Sequence, residues 1–169
     1  MKRVAVLTNG GDASDINAAV RAVIRTGLHK GWDMFGIYHG YVGLITDDFI
    51  QLGARDVWGI IQRGGTVLHT ARCPDFETRD GQLKGLDMLQ RNQIDFLVAI
   101  GGNGSQWGAY ALSELGYPVV GIASTIDNDL YGSDITIGVN TAVNIAVQAI
   151  NLRLGGWNVQ KNSSVPGWV

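Results

Sequence analysis

The segment Thr125-Ile126-Asp127-Asn128-Asp129 has the clearest capacity for chemistry in this sequence. Two carboxylates two residues apart, with a hydroxyl beside them, can supply a general base and a hydrogen-bond acceptor for a substrate hydroxyl. The same composition is typical of a capped turn, because Asp and Asn side chains bond to nearby backbone groups. Composition alone favours the turn, so a catalytic interpretation needs support from elsewhere in the chain.

Two glycine-rich turns are the second candidate, at residues 9–11 (Asn-Gly-Gly) and 101–105 (Gly-Gly-Asn-Gly-Ser). Each follows an apolar run and leads toward a helix, and backbone N–H groups at such turns bind anions with the help of the helix dipole. The alternative is that glycine serves only to turn the chain sharply. Neither turn matches the P-loop, and Trp107 occupies the last glycine position of the dinucleotide fingerprint.

Arg72 and its neighbour Cys73 form a third candidate group. The forked guanidinium of Arg72 can clamp a phosphate, although a surface ion pair is the more usual role of an arginine. Cys73 is interpreted as inert packing, because no nearby histidine could activate its thiol. As the single cysteine of the chain, it also excludes an internal disulfide.

The hydrophobic pattern predicts the elements that position these groups. Short apolar runs predict strands over residues 4–8, 34–38, 96–100 and 119–122. Helical spacing predicts helices over residues 18–30, 56–62, 83–93, 139–154 and around 109–115, with Asp15 as the cap of the first. Strands that alternate with such helices predict a three-layer, doubly wound α/β fold with a mostly parallel sheet. Residues 1–155 are predicted to form this domain, and residues 156–169 a tail in an edge strand or a loop.

The composition agrees with one globular domain. The chain of 169 residues is 46% hydrophobic and 17% charged, and its 24 glycines suit a fold with many tight turns. A net charge of −2 without a long run of one sign predicts no attraction to nucleic acid or to a membrane surface. The sequence has no signal peptide and no apolar stretch of about 20 residues, so a cytoplasmic location is expected.

Six motifs in a fixed order carry a resemblance to a known family. They are Leu7-Thr8-Asn9-Gly10-Gly11-Asp12-Ala13, Tyr38-His39-Gly40-Tyr41, Gln62-Arg63-Gly64-Gly65-Thr66, Thr70-Ala71-Arg72-Cys73-Pro74, Ile100-Gly101-Gly102-Asn103-Gly104-Ser105 and Thr125-Ile126-Asp127-Asn128-Asp129. In this order and spacing they closely resemble bacterial ATP-dependent 6-phosphofructokinase, without gaps from Met1 to about Ile150. The resemblance covers the N-terminal, nucleotide-side half of a family subunit. It implies that this chain has the Rossmann-like fold of that half.

The resemblance implies an activity and a role for each group of residues. The implied reaction is the glycolytic transfer of phosphate from ATP to the 1-hydroxyl of fructose 6-phosphate, with ATP and Mg²⁺ as cofactors and a homo-oligomer as the assembly. Asp127 would take the proton from the sugar hydroxyl beside Thr125 and Asp129, and Gly11 would lend its N–H to the transferred phosphate. The residues implied for the nucleotide are Gly11, Tyr41, Arg72, Cys73, Phe76, Gly102, Gly104, Ser105 and Gly108.

Two further pairs of residues take their interpretation from the resemblance. Arg21 and Arg25 match basic residues of the family's regulatory-effector site, and the alternative is that they are the polar flank of an amphipathic helix. Gly104 and Ser124 stand where pyrophosphate-using relatives carry Asp and Lys, which implies ATP as the ancestral donor.

The sequence departs from the family at several ligand positions. Asn103 stands where the family has an aspartate that holds Mg²⁺, and a neutral amide is a weaker ligand for a hard cation. Asp15 adds a negative charge beside the first glycine turn. The family's residues that grip the sugar phosphate lie at and beyond Arg153, where this chain has Asn162 in place of an arginine or has ended. These departures predict weak binding of metal and ATP and no phosphorylation by this chain alone.

Two hypotheses therefore remain open. One is an ATP-dependent sugar-phosphate kinase or a fragment of one. The other is a catalytically silent descendant or redesigned scaffold that retains the fold and at most weak phosphate binding. The second is suggested by substitutions that cluster at ligand positions while the apolar framework stays ordinary.

Overall fold

A computed structural model describes residues 1–162 of the chain, and side chains through residue 153. Its strands are β1 (Arg3–Asn9), β2 (Asp33–Ile37), β3 (Phe49–Gln51), β4 (Phe96–Gly101), β5 (Val119–Thr125) and β6 (Ile137–Gly138). Its α-helices are α1 (Ile16–His29), α2 (Tyr41–Thr46), α3 (Arg79–Arg91), α4 (Asn103–Glu114) and α5 (Val139–Asn162). A short 3₁₀ helix spans Pro74–Glu77.

The strands form one sheet in the order β3-β2-β1-β4-β5-β6, in which β3 is antiparallel to β2 and the other neighbouring pairs are parallel. From β1 the chain passes through α1 to β2 on one side, whereas β4 pairs with the other side of β1. The strand order therefore reverses between β1 and β4, where open α/β sheets bind ligands. Asn9 of β1 pairs with Gly101 of β4, which pairs with Ala123 of β5, so the carboxyl ends of three strands lie level.

Helices cover both faces of the sheet. On one face, Ile24 of α1 belongs to a buried cluster with Val6 of β1. On the other face, Leu44 of α2, Leu89 of α3 and Leu112 of α4 belong to a second cluster. The apolar run of β1 is thus buried from both sides, as a central parallel strand requires. The predicted three-layer, mostly parallel α/β fold is confirmed.

The four predicted strands are confirmed within a few residues as β1, β2, β4 and β5. The helix predicted over residues 83–93 is α3. It begins earlier, at Arg79, because the Thr78 hydroxyl accepts a hydrogen bond from the Gly81 N–H at 3.1 Å and caps the helix. The sequence pattern did not predict α2, β3 and β6, which are too short for their periodicity to be visible.

The helix predicted over residues 56–62 is wrong, because this segment is a succession of turns. Gly59 in its middle has a φ of 70°, a left-handed conformation that an α-helix does not contain. Val57 and Ile60, two apolar residues of this segment, are buried in the cluster on the α1 face. Arg21 of α1 donates a hydrogen bond of 2.8 Å to the Val57 carbonyl oxygen and holds the segment there. Tertiary burial, and not helical periodicity, accounts for the apolar pattern.

Asp15 precedes α1 but does not cap it, so the predicted cap is wrong. Its φ is 67°, and its side chain makes no hydrogen bond to the first N–H groups of the helix. A capping residue has extended backbone, which directs its side chain toward those groups. The Asp15 carboxylate instead accepts a hydrogen bond of 2.6 Å from the Thr141 hydroxyl of α5. Asp15 therefore links the starts of α1 and α5.

The helices α4 and α5 extend well beyond their predicted bounds. α4 begins at Asn103 and not near residue 109, so the second glycine turn leads directly into its first helical turn. α5 continues past residue 154 to Asn162, so the first part of the predicted tail extends this helix. Residues 163–169 lie outside the described residues, and the domain boundary at residue 155 stays a prediction.

Candidate functional site

Three segments meet at the carboxyl edge of the sheet. They are the loop of residues 10–15 after β1, the start of α4 after β4, and the loop of residues 126–136 after β5. The buried Ser105 hydroxyl donates to the Asn9 carbonyl oxygen at 2.6 Å and ties α4 to β1. Gln106 donates to the carbonyl oxygens of Gly101 and Ile122, both at 3.0 Å, and ties α4 to β4 and β5. These bonds determine where the start of α4 lies relative to the other two loops.

The first turn of α4 and the loop after β1 present unused hydrogen-bond donors. The backbone N–H groups of Gly11, Asn103 and Gly104 form no hydrogen bond within residues 1–162. A side chain added at Gly11 or Gly104 would have no atom within 4 Å, whereas one at Gly10 would lie 3.5 Å from Ser105 Oγ. Free N–H groups at a helix start, beside open space, can bind an anion. We call the N–H groups of Gly11, Asn103 and Gly104 the phosphate cradle.

The loop after β5 separates its turn-forming amide from a free carboxylate. Asn128 has a φ of 51°, donates to the Asp134 carbonyl oxygen at 3.3 Å and accepts from the Thr136 N–H at 3.0 Å. The Asp127 N–H donates to Thr125 Oγ1 at 3.2 Å, but its carboxylate is exposed and accepts no hydrogen bond from a described residue. The capped-turn alternative thus explains Asn128 and leaves the Asp127 carboxylate free to take a proton.

Asn103 and Thr125 bring this loop against the start of α4. The Asn103 Nδ2 donates to Asp129 Oδ2 at 3.0 Å, and both side chains are exposed. A Cβ atom added at Gly102 would lie 3.4 Å from the Thr125 Cβ. The predicted group of Thr125, Asp127 and Asp129 therefore lies beside the second glycine turn.

Tyr41 and Phe76 pack together, and Tyr41 lies against Gly108 of α4. The Tyr41 ring stacks on Phe76 with ring centroids 4.2 Å apart, both rings are buried, and the Tyr41 hydroxyl donates to the Ser105 carbonyl oxygen at 2.6 Å. Burial raises the pKa of Tyr41, so its hydroxyl stays a donor. These residues support the first turns of α4, and their contact with a nucleotide stays a prediction. The same holds for the Ser105 hydroxyl, which is already bonded to Asn9.

A polar cleft of about 530 Å³ opens beside the loop after β1. Its lining includes Asp12, Arg63, Thr66 and His69. The Thr66 hydroxyl lies 2.9 Å from the hydroxyl of the buried Thr8, which also donates to the His69 carbonyl oxygen at 3.0 Å. The buried Thr8 hydroxyl of β1 thus holds one wall of the cleft.

Arg72 and Cys73 follow this wall along the chain. Arg72 is exposed and pairs with no acidic side chain in the part of the chain that the structure describes, so the ion-pair alternative is not realised there. Burial raises the pKa of the Cys73 thiol, which keeps it protonated and agrees with inert packing. Nucleotide contacts by both residues stay predictions.

The two arginines of α1 differ in their surroundings. Arg21 is half-buried, and its guanidinium holds the Val57 carbonyl oxygen, whereas Arg25 is exposed. Arg21 therefore has a packing role that the sequence did not indicate. Effector binding by either residue stays a prediction.

Sequence reasoning missed Asn17, the residue that holds residues 63–67 of the cleft wall. Its side chain is 1% exposed and forms three hydrogen bonds of 2.9 Å. Nδ2 donates to the carbonyl oxygens of Arg63 and Gly65, and Oδ1 accepts from the Val67 N–H. The only signal in the sequence is an amide among apolar residues at a helix start, and such a buried amide needs partners.

The fold and the site together define a class: an α/β domain whose strand order reverses between two glycine turns, which is the place where open α/β sheets bind ligands. A family model described as Phosphofructokinase matches residues 3–153. The chain belongs to the phosphofructokinase family.

Three relatives illustrate the match. ATP-dependent 6-phosphofructokinase of Streptococcus pneumoniae (strain Hungary19A-6) is 51% identical over 151 residues, which cover 89% of this chain and 45% of that protein. Phosphofructokinase from Saccharomyces cerevisiae superposes with a TM-score of 0.83 at 35% identity, covering 92% of this chain and 24% of that chain. Pichia pastoris phosphofructokinase in the T-state superposes with a TM-score of 0.78 at 39% identity, covering 82% of this chain and 17% of that chain.

The comparisons bear on two expectations. The resemblance to bacterial ATP-dependent 6-phosphofructokinase is confirmed, and the alternative of a redesigned scaffold finds no support. The chain spans less than half the length of the curated relatives that it matches.

Among residues 1–162, no helix is both long and apolar enough to cross a membrane.

Proposed function

We propose that this domain binds ATP by its phosphate groups at the carboxyl edge of the sheet and serves phosphoryl transfer to the 1-hydroxyl of fructose 6-phosphate. The observation that carries the proposal is the phosphate cradle, whose free N–H groups adjoin open space where the strand order reverses. The name of the Streptococcus pneumoniae relative, ATP-dependent 6-phosphofructokinase, supports the choice of donor and acceptor. Assembly into a homo-oligomer stays a prediction.

In the proposed reaction the two sides of the site have different tasks. Phosphoryl transfer needs an aligned nucleophile and donors that stabilise charge on the transferring group. The N–H groups of Gly11 and Gly104, with the start of α4, supply donors for phosphate oxygens. Asp127 takes the proton of the 1-hydroxyl as that oxygen bonds to the γ-phosphorus, and ADP leaves. Thr125 and Asp129 hold neighbouring hydroxyls.

Magnesium, which the resemblance implies, does not fit as a metal held by position 103. Asn103 presents Nδ2, a donor, to the Asp129 carboxylate. This amide orientation is the favourable one, because the opposite orientation would bring two oxygen atoms together. Within the described residues, no group of three or more His, Cys, Asp or Glu side chains could hold a metal ion. No step of the proposed reaction is therefore assigned to a metal held by the protein.

Gly11→Ala and Gly104→Ala test the phosphate cradle. Neither glycine has a left-handed φ, and neither added methyl would touch another residue, so both variants are expected to fold. Each methyl would occupy the space beside the free N–H groups and keep a phosphate oxygen away from them. We expect each substitution to weaken ATP binding about tenfold, which is the loss of one charge-assisted hydrogen bond. Isothermal titration calorimetry measures the change.

Gly53→Ala is the matched control for these two variants. Its methyl would make an ordinary 3.5 Å contact with Asp56, away from the cradle. Gly53→Ala should bind ATP with the same affinity as the unchanged chain. The unchanged chain and Gly53→Ala should both bind pyrophosphate more weakly than they bind ATP. Equal ATP affinity in all four proteins would reject the proposal. So would crystals soaked in sulfate or ATP that show no anion at the cradle.

A further inference from the structure

The hydrogen bond between Asn103 and Asp129 joins two loops of the proposed site. Asn103 is the first residue of α4, and Asp129 lies 26 residues later, in the loop after β5. The 3.0 Å between Nδ2 and Oδ2 is an ordinary length for an N–H···O bond. Among the described residues, no other side-chain hydrogen bond connects α4 with residues 126–136. The Asn103 amide is therefore the one side-chain hydrogen-bond link between this loop and α4 in the described part of the chain.

The charged side chains at this bond are carboxylates, and no basic side chain of residues 1–153 lies within ion-pair distance of them. Asp127 and Asp129 are both exposed and lie two residues apart. In residues 1–153, neither forms an ion pair with Lys, Arg or His. The positive ends of dipoles near Asp129 are those of the Asn103 amide and of the start of α4.

We propose that the Asn103 amide is a built-in substitute for a divalent cation between the loops after β4 and β5, so that Asp129 is positioned without metal. The inference rests on the proposed function, because Asp129 is one of the residues assigned there to the sugar phosphate. Magnesium then reaches this edge of the sheet only on the nucleotide phosphates, which are its common ligands.

The proposal has a direct electrostatic consequence. A carboxylate at position 103 would lie at hydrogen-bond distance from the Asp129 carboxylate, and two like charges at that distance disfavour each other. The loops would then separate, or a cation would bind between them. The change from amide to carboxylate should therefore convert a metal-independent contact into a metal-dependent one.

Three variants of the full chain test this inference in the absence of nucleotide. Asn103→Asp introduces the like charge, and Asp129→Asn removes the charged acceptor. The double variant Asn103→Asp with Asp129→Asn reverses the amide–carboxylate pair and keeps its hydrogen bond. Electron paramagnetic resonance counts free Mn²⁺ during titration at neutral pH and constant ionic strength. Thermal unfolding is followed by circular dichroism in EDTA and in excess MnCl₂.

The unchanged chain should bind Mn²⁺ no better than Asp129→Asn does and should unfold at the same temperature with and without metal. Asn103→Asp should bind Mn²⁺ about tenfold more tightly than the unchanged chain, because a charged oxygen ligand replaces an amide donor. It should also unfold at a lower temperature in EDTA and recover with Mn²⁺. The double variant should match the unchanged chain in EDTA and gain nothing from metal.

Two results would overturn the inference. One is that the unchanged chain binds Mn²⁺ and that Asp129→Asn abolishes this binding. The other is that Asn103→Asp unfolds at the same temperature in EDTA and in MnCl₂. If Asn103→Asp does not fold, the unchanged chain and the double variant still decide, because the inference requires both to be metal-independent. Since no nucleotide is present, failure of ATP to bind the cradle would reject the proposed function without changing these outcomes.

Discussion

Replacement of Asn17 by alanine is expected to lower the free energy of unfolding by about 3 kcal/mol. The substitution removes three hydrogen bonds of 2.9 Å and leaves the Arg63 and Gly65 carbonyl oxygens and the Val67 N–H without partners. Each unsatisfied buried group costs on the order of 1–3 kcal/mol, of which water that enters the cleft recovers part. Urea denaturation followed by circular dichroism measures the loss.

The isosteric change Asn17→Asp adds a pH dependence. One carboxylate oxygen can still accept from the Val67 N–H, but the other would face two carbonyl oxygens. This burial without a donor should raise the folded-state pKa of the new carboxyl above its unfolded value of about 3.9. A raised folded-state pKa gives stability that is present at low pH and lost as the pH rises through it. The deficit against the unchanged chain should therefore grow from about pH 4 toward neutrality.

Asn140→Ala serves as the control for both substitutions at Asn17. Asn140 is exposed in the first turn of α5, so its replacement should change the free energy of unfolding by no more than about 0.5 kcal/mol. If Asn17→Ala is no more destabilising than this control, the three hydrogen bonds do not hold residues 63–67 as described.

Gly108→Ala is the second substitution with a large expected effect, a loss of about 3 kcal/mol even though alanine favours helix. The added methyl would overlap Tyr41 Cζ and would lie 2.6 Å from the Tyr41 hydroxyl oxygen. The ring is 3% exposed and stacked on Phe76, so it has to leave its place. It would then lose its stacking and its hydrogen bond to the Ser105 carbonyl oxygen. Urea denaturation and near-ultraviolet circular dichroism measure both consequences.

Gly104→Ala is the matched control, because it is the same substitution one turn earlier in α4. An added methyl there has no atom within 4 Å, so only the helix propensity changes, and stability should rise by about 0.5–1 kcal/mol. Opposite signs at the two positions would separate steric contact from propensity. A gain in stability at both would mean that the Tyr41 ring is not packed against Gly108.

The local hydrophobic pattern predicted those strands and helices that can be recognised from their own residues alone. β1 and β4 are apolar runs that lead into the two glycine turns, and both proved to be central parallel strands. The pattern misled at residues 56–62, because Val57 and Ile60 are buried by contact with the α1 face and not by helical spacing. It also could not place the start of α4, since glycines in a first helical turn look like a loop.

In the candidate site, too, some residues could be recognised from the local sequence and others only from tertiary contacts. The glycine turns and the two carboxylates after β5 were visible in the sequence, because free N–H groups and acidic side chains are properties of residue type and local backbone. Asn17 was not visible, because its partners lie 46 to 50 residues away along the chain.

The sequence by itself determined the alternation of strands and helices, the two glycine turns and the family, since each depends on short runs of residues and their order. Only the tertiary structure decided which polar groups stay free for a ligand. The Ser105 hydroxyl is bonded to Asn9, 96 residues away, and the Asn103 amide to Asp129, 26 residues away. No local period encodes such pairs, because they form only when parallel strands bring their carboxyl ends to one edge of the sheet.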